Sequence, residues 1–195
     1  VEVLRQFKGF SYFTEMSDII NRLEDHVASA RMKTTPVIDF EKNESLKGLD
    51  YLDTIYHAIV NEHPIQLKYR SFKARSANSF IFYPYLLKEY RNRWFVYGVR
   101  GNGRILQNLA LDRIQSLEVL PQEHYIKNTF FDPNTFFDDL VGVTKNSGSV
   151  AEKIGFKVAA AEAPYIITKP IHRSQQVVER LADGSVILEI EVVIN

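Results

Sequence analysis

The 195-residue sequence predicts an α+β fold with a helical N-terminal linker, a small β-barrel and a small α/β extension at the C-terminal end. Three observations favour this fold. Apolar residues recur at helical spacing up to about residue 63, short strand patterns fill 65–120, and two strand patterns joined by a turn end the chain. Five short strands with tight turns favour a barrel, because closure removes exposed sheet edges.

These patterns divide the chain into four segments. The first is expected to act as a linker or to mediate dimerisation. The segments are a helical linker or dimerisation region (1–63), the barrel (64–121), a short helix with a linker (122–149) and a C-terminal extension that breaks off in mid-pattern (150–195).

The helical prediction depends on two apolar stripes, with a short apolar patch (36–40) between them. Ser17 can cap the first helix. The second helix follows Gly48 and ends at His63-Pro64, because a residue before proline disfavours helical geometry. The stripes are Met16, Ile20, Leu23 and Val27, and then Leu52, Ile55, Tyr56 and Ile59.

Strand patterns alternate with turn residues between 65 and 120. Pro84 predicts a bend or an edge position, since proline cannot donate to a sheet ladder. Asn92 predicts one tight turn, and Gly101-Asn102-Gly103 predicts a hairpin turn. The predicted strands are 65–69, 80–90, 93–100, 104–109 and 114–120.

Beyond Pro121, the pair Asp132-Pro133 predicts the cap and first position of a short helix, with Phe136, Phe137 and Leu140 on its buried side. Asp183-Gly184 predicts a hairpin turn. The other predicted elements are a linker (144–149), a strand (154–160), a short helix (164–167) and the two hairpin strands (175–181 and 185–194).

The charge is unevenly distributed although the net charge is zero. Ten of the 24 Lys and Arg residues, but only two of the 24 Asp and Glu residues, lie between 68 and 113. This window therefore carries an excess of eight positive charges and is expected to attract anions such as nucleic acids. The alternative is that many of these bases are solvated residues that protect strand edges.

The composition and motifs favour a cytoplasmic protein that is not an enzyme. There is no cysteine, and no apolar run approaches the length of a membrane span. The five histidines form no His-Glu-x-x-His motif, and neither a nucleophile elbow nor a phosphate-binding glycine loop is present. We expect no catalytic residues, no metal site and no cofactor.

Aromatic and basic residues are interleaved in the strand region, where ten of the 24 aromatic residues lie between Tyr69 and Tyr97. Aromatic rings stack on bases and guanidinium groups bind phosphates, although many of these rings, Trp94 and Phe95 among them, are expected to be core. Arg93, Arg104 and Arg113 lie on neighbouring predicted strands, so we expect them to converge at one mouth of the barrel.

Four segments resemble the WYL domain in order and spacing over roughly 50–120. Trp94-Phe95-Val96 occupies the place of the Trp-Tyr-Leu that gives the family its name. Residues from about 150 resemble the C-terminal extension of such proteins, and the N-terminal region is similar to the linker that follows a winged helix-turn-helix. The four segments are Tyr69–Ser71, Tyr83–Leu86, Arg93–Val96 and Arg104–Ile114.

The resemblance implies an Sm-like or SH3-like barrel that acts as the ligand-sensing module of a homodimeric bacterial transcription regulator. It implies a nucleic acid or nucleotide effector, with single-stranded DNA as one possibility. Promoter DNA would be bound by a helix-turn-helix domain that is absent from these residues. The ligand surface implied by the family falls on Tyr69, Ser71, Arg93, Arg104 and Arg113, with Tyr83 and Asn108 as further candidates.

Two alternatives remain open at this stage. The barrel and extension can instead form a structural dimerisation scaffold without a ligand, which the zero net charge and Gln107-Asn108 favour, since many relatives carry Arg or His there. An enzyme acting on nucleotides is the weakest alternative, because no paired acid and base lies in the basic window.

Overall fold

The computed structural model describes residues 47–101, 103–146 and 148–195. The predicted helix at 16–27 and the apolar patch at 36–40 lie outside these ranges. The chain divides into one unit up to Thr129 and a second unit from Phe130 to Asn195. Among the described residues, no helix is both long and apolar enough to cross a membrane.

The described part of the first unit, residues 47–129 without 102, contains one α-helix and five strands, which confirms the second predicted helix. A 3₁₀ turn (Leu49–Tyr51) precedes helix α1 (Leu52–Val60). The strands are β1 (Ile65–Tyr69), β2 (Asn78–Tyr90), β3 (Arg93–Arg100), β4 (Gln107–Ala110) and β5 (Ile114–Val119), and a second 3₁₀ turn (Leu111–Arg113) lies between β4 and β5.

The five strands form an antiparallel sheet in the order β4-β3-β2-β1-β5. Strand β2 pairs with β1 through residues 78–82 and with β3 through residues 82–90, and its register against β3 shifts between Pro84 and Leu86. A bulge bends the strand that carries it, so β2 turns a corner at this point. The bend predicted at Pro84 is therefore confirmed.

The connection between β4 and β5 requires this sheet to curl. The two strands are the opposite edges of the sheet, which would be about 19 Å apart if it were flat. Only Leu111–Arg113 separate them, and four residue steps reach at most about 14 Å. No ladder joins β4 to β5 in the described part of the chain, so the closed barrel predicted from the sequence is not confirmed.

The core of this unit lies between α1 and the curled sheet. Leu52 and Ile55 of α1 are fully buried, as the apolar stripe predicted, and Trp94 belongs to the core rather than to an exposed surface. The buried cluster comprises Leu52, Ile55, Ala58, Ile65, Leu67, Phe82, Trp94, Val96, Leu109, Leu111 and Ile114.

Two turns connect the strands around β3. Arg91 and Asn92 both have positive φ, as a two-residue hairpin turn requires, so the turn predicted at Asn92 is confirmed. After β3, Gly103 N–H donates to the Arg100 carbonyl, but β4 begins only at Gln107. The strand predicted from Arg104 is therefore shorter, because the connection continues through the exposed Ile105.

The second unit is a three-stranded antiparallel sheet with one short helix. Its elements are β6 (Ala151–Val158), α2 (Ala163–Thr168), β7 (Gln176–Arg180) and β8 (Val186–Val193), and the strand order is β6-β8-β7. Gly184 has a φ of 82°, which confirms the hairpin turn predicted there. The α+β class agrees with the structure, and so do the strands, the short helix and the hairpin predicted from about residue 150 onwards.

The helix predicted after Asp132 does not form, and the chain follows a series of turns there. Asp132 acts as the predicted cap, because its carboxylate accepts from the Asn134 N–H at 2.9 Å. Later bonds connect residues three positions apart, as from Asp138 N–H to the Thr135 carbonyl. The Phe136 ring packs edge-on against Phe131 and Phe137, which favours this compact segment over a regular helix.

Gly98→Ala is expected to lower the free energy of unfolding by about 1–3 kcal/mol or more, because a β-carbon at Gly98 would overpack the sheet. It would lie 2.1 Å from the Tyr83 carbonyl oxygen. Chemical denaturation measures the loss. The matched control is Gly155→Ala in β6, which meets no atom within 4 Å. Equal losses for both variants would contradict the steric argument.

Asp183→Asn is expected to flatten the acid dependence of stability. Hydrogen bonds from the Ser185 hydroxyl and backbone N–H, aided by Lys157, lower the pKa of Asp183 from 3.8 to about 2. The ionised carboxylate therefore stabilises the fold above pH 3.8, and this contribution is lost as the pH falls towards 2.

Melting temperatures of the wild type and Asp183→Asn, measured across this acid range, show how steeply the stability of each protein falls with pH. Ser185→Ala is the second variant, and it should flatten the profile in the same direction because it removes one of the hydrogen bonds to Asp183. An unchanged slope in both variants would exclude the hydrogen-bonded carboxylate as the cause.

Candidate functional site

The candidate site lies where β1 ends and β5 begins. Tyr69, the last residue of β1, pairs with Ile114, the first residue of β5, and the register shifts at this point. Arg70 N–H donates to the Arg113 carbonyl at 3.2 Å. The segment after β1 and the turn before β5 therefore lie side by side.

A cavity of about 310 Å³ opens between these two segments. Its volume is at the lower end of the range for pockets that bind small molecules, about 300–1,000 Å³. The lining residues are Arg70, Ser71, Phe72, Asp112, Arg113, Ile114 and Gln115.

One carboxylate, that of Asp112, holds two arginines at this cavity. Asp112 Oδ2 lies 3.5 Å from Arg93 Nε, and Asp112 Oδ1 lies 3.8 Å from Arg113 Nε. Asp112 Oδ1 and Arg113 Nε are both buried and make no hydrogen bond. Burial of a polar atom without such a bond costs about 1–3 kcal/mol, so these contacts are electrostatically favourable but incompletely satisfied.

Phe72 covers the guanidinium group of Arg113. The Arg113 Cζ atom lies 4.2 Å from the centre of the Phe72 ring, which is a cation–π distance. The Phe72 side chain is 76% exposed. The face of an aromatic ring that is not occupied by an arginine can stack on a planar group of a ligand.

Tyr69 contributes a neutral hydroxyl next to this cluster. Burial raises the pKa of Tyr69, while the nearby Arg113 guanidinium opposes that shift. The hydroxyl is hydrogen-bonded to the Arg113 side chain and to the Ala110 backbone. Tyr69 therefore remains protonated at neutral pH and helps to orient Arg113.

Gly48 supports the turn that carries Asp112 and Arg113. A β-carbon on Gly48 would lie 2.4 Å from the carbonyl carbon of Leu111 and 2.8 Å from the Asp112 nitrogen. Gly48 also has a φ of 85°, which favours glycine. The backbone before α1 therefore packs directly on the backbone of the site.

Four of the seven ligand-binding residues predicted from the sequence come together here. Ser71 and Arg113 line the cavity, Tyr69 bonds to Arg113, and Arg93 reaches the cluster through Asp112.

Arg104, Tyr83 and Asn108 lie elsewhere, so the predicted convergence of three arginines is wrong for Arg104. Phe95 pairs with Ala110 and Gly98 with Gln107, so Arg104 lies beyond the Arg100 end of β3, opposite Arg93. The Tyr83 ring packs edge-on against Tyr125. Asn108 pairs with Tyr97. Burial raises the pKa of Tyr97, and a hydrogen bond with Asn108 opposes only part of that rise.

Asp112, Phe72 and Arg70 are site residues that were not predicted from the sequence. Asp112 lies in the Leu-Asp-Arg-Ile segment that supported the resemblance, but a carboxylate is not expected in a site that binds an anion. Arg70 and Phe72 directly flank Ser71 in the sequence. Their position next to a predicted ligand-binding residue could therefore have identified them. No group of three or more potential metal ligands occurs among the described residues.

The WYL-domain family model matches residues 50–119. The chain therefore contains a WYL domain, which comprises helix α1 and the five-stranded sheet with its cavity, as the sequence resemblance predicted. No curated protein matches the chain.

Among solved structures, proteasome accessory factor B/C (PafBC) of Arthrobacter aurescens is similar over 77% of this chain, with 15% sequence identity and a TM-score of 0.38. The chain spans 22% of the length of that protein.

Gly48→Ala is expected to destabilise the protein more than Gly148→Ala. Both glycines have positive φ, but a β-carbon on Gly148 meets no atom within 4 Å. Gly148→Ala should therefore show only the cost of holding an alanine at positive φ, about 1–2 kcal/mol. Gly48→Ala should add an overpacking cost of about 1–3 kcal/mol.

Denaturant unfolding measures both losses, and the ¹⁵N resonance of Arg113 Nε reports on the site. That resonance should shift in Gly48→Ala and stay in place in Gly148→Ala. The same shift in both variants would contradict a direct contact between Gly48 and the turn.

Proposed function

We propose that this chain is the ligand-sensing region of a bacterial DNA-binding transcription regulator, and that it binds a nucleic acid or nucleotide at the cavity beside Arg113. The observation that carries the proposal is the Arg113 guanidinium, which faces this cavity between Asp112 and the exposed Phe72 ring.

The side chains at the cavity suit the parts of a nucleotide. A guanidinium group can bind a phosphate through two parallel hydrogen bonds. The exposed Phe72 ring offers a surface for a base, since stacking on aromatic rings tolerates any base. Ser71 adds a hydroxyl that can donate to or accept from the sugar or phosphate.

We also propose that the curled sheet is a partly open Sm-like barrel. The corner in β2 and the three-residue connection from β4 to β5 support it, because both bring the two edges of the sheet towards each other. The contact of Arg93 with Asp112 does not depend on the curl, because the β3–β4 register extended by two residues places Arg93 opposite Asp112.

Regulation by this site would require a homodimer whose arrangement depends on the ligand. In our proposal the N-terminal region (1–63) joins the sensor to a domain that binds promoter DNA in the cytoplasm. A ligand transmits a signal only if it binds one arrangement of the dimer better than another.

The site is proposed to bind its ligand without converting it. A catalytic site needs an acid and a base placed on either side of a reacting atom. The ionisable side chains lining this cavity are Asp112 and two arginines, and the carboxylate is already engaged with Arg93 and Arg113.

The second candidate function is a structural dimerisation scaffold without a ligand. The observation that favours it is that Arg93 and Arg113 already share the carboxylate of Asp112. In that case the three charges would stabilise the turn, and substitutions of Arg113 would change stability but no regulatory output.

Arg113→Gln is expected to weaken binding of a labelled single-stranded oligonucleotide by roughly tenfold or more, the loss typical of a removed charge-assisted hydrogen bond. Fluorescence anisotropy at two salt concentrations measures the affinity, and the wild-type affinity should fall as salt rises.

Arg104→Gln is the matched control, because it removes the same charge from the opposite end of β3. Its affinity should remain close to that of the wild type. No binding by the wild type would favour the scaffold, and equal losses in both variants would favour a diffuse electrostatic surface over the cavity.

A further inference from the structure

We infer that the cavity beside Arg113 selects a terminal phosphate, a phosphate monoester with close to two negative charges, over the singly charged phosphodiester inside a nucleic acid strand. This inference rests on the proposed function and specifies the ligand group that the site recognises.

The charges at the cavity match a dianion. Arg70 and Arg113 line the cavity, and Arg93 reaches the same carboxylate from the start of β3. Asp112 is the one acid in this group, so the cluster carries a net charge of +2. A phosphate monoester has a second pKa of about 6 and carries about −1.5 to −2 at neutral pH, whereas a phosphodiester carries one negative charge.

The three arginines of this cluster come from three different segments, and two of them, Arg70 and Arg113, line the cavity. Arg70 follows β1, Arg93 begins β3, and Arg113 belongs to the turn before β5. The three oxygens of a terminal phosphate can accept hydrogen bonds from several directions at once. A phosphodiester has two free oxygens, and its two ester oxygens continue into the strand.

The size of the cavity also favours the end of a strand or a single nucleotide. Its volume of about 310 Å³ is small for a run of nucleotides. The guanidinium group of Arg113 lies under Phe72, so a phosphate at Arg113 places the attached nucleoside close to the exposed ring. A terminal nucleotide can enter in this way without the strand continuing on both sides.

Asp112 and Tyr69 engage only some of the N–H donors of Arg93 and Arg113. The contacts of Arg93 and Arg113 with Asp112 are longer than good hydrogen bonds, at 3.5 and 3.8 Å. Each guanidinium group has five N–H donors, and Asp112 is contacted through Nε in both cases. Asp112 therefore reduces the repulsion between the cations without occupying their terminal donors.

No histidine, the residue type that ordinarily titrates near pH 6, is among the ionisable side chains around the phosphate. These side chains are Arg70 after β1, Arg93 at the start of β3, Asp112 and Arg113 in the turn, and Tyr69 at the end of β1. The lining residues include no histidine. A change in affinity between about pH 7.5 and pH 5 would therefore report the second ionisation of the phosphate.

The test compares two oligonucleotides of identical sequence, one with a 5′-phosphate and one with a 5′-hydroxyl, as competitors of a labelled 5′-phosphorylated oligonucleotide. At about pH 7.5 the phosphorylated competitor should bind about fivefold more tightly, the factor that one extra unit charge gives at about 4 Å in water. At about pH 5 this ratio should decrease, because the phosphate monoester loses one charge.

Arg93→Gln and Arg70→Gln should each lower the preference for the phosphorylated strand. Both side chains are solvent-exposed, so the variants should fold. Arg180→Gln, an exposed arginine of β7 in the second unit, is the matched control and should keep the wild-type preference. Adenosine 5′-monophosphate should likewise compete better than its 3′,5′-cyclic form, which has the same base and sugar but a singly charged diester.

The outcomes separate this inference from the proposed function. Equal binding of both strands at about pH 7.5, with a loss in Arg113→Gln, would overturn the inference and leave nucleic acid binding in place. Failure of every strand and nucleotide to bind would overturn both. A preference for the 5′-phosphate that Arg93→Gln and Arg180→Gln reduce equally would assign it to overall charge and overturn the inference.

Discussion

The three-residue turn Leu111–Arg113 is the constraint on which the rest of the first unit depends. It joins the two edge strands of a five-stranded sheet, and it is too short to cross a flat one. The sheet can satisfy this connection only by curling, and the corner in β2 at Pro84 supplies the bend. Helix α1 then covers the concave side and completes the core.

The same turn places buried and functional residues next to each other. Leu111 is fully buried in the core, whereas Asp112 and Arg113 face the cavity. The position of the two charged side chains is therefore fixed by the packing of their neighbour, without help from a flexible loop. Gly48 packs on the backbone of this turn, so the segment that enters α1 is in contact with the site. A change at the cavity has a short physical route to the N-terminal side of the domain.

Local sequence patterns were sufficient to predict most of the helices and strands. They did not predict which residues of different strands come into contact. Helix α1, the Pro84 bend and the Asp183-Gly184 hairpin followed from periodicity and turn chemistry, because these depend on residues close in sequence. The separation of Arg104 from Arg93 could not be predicted from local patterns, since it depends on the register between β3 and β4. Asp112 was missed for a related reason: its importance comes from contact with Arg93, nineteen positions earlier, and no local pattern encodes that contact. The turns after Asp132 show the converse, because the predicted cap forms but is followed by turns and not by a helix.

Asp112 reflects a compromise between a stable fold and an attractive site. The three arginines Arg70, Arg93 and Arg113 repel one another, and a partly buried cation without a counter-ion is costly. One carboxylate shared between Arg93 and Arg113 lowers that cost, so the site can exist before any ligand arrives. A second acid would neutralise the cluster further and reduce its attraction for anions. With one acid, the cavity keeps a positive surplus that attracts an incoming anion. A site of this kind can respond to a ligand because its own charges are only partly balanced.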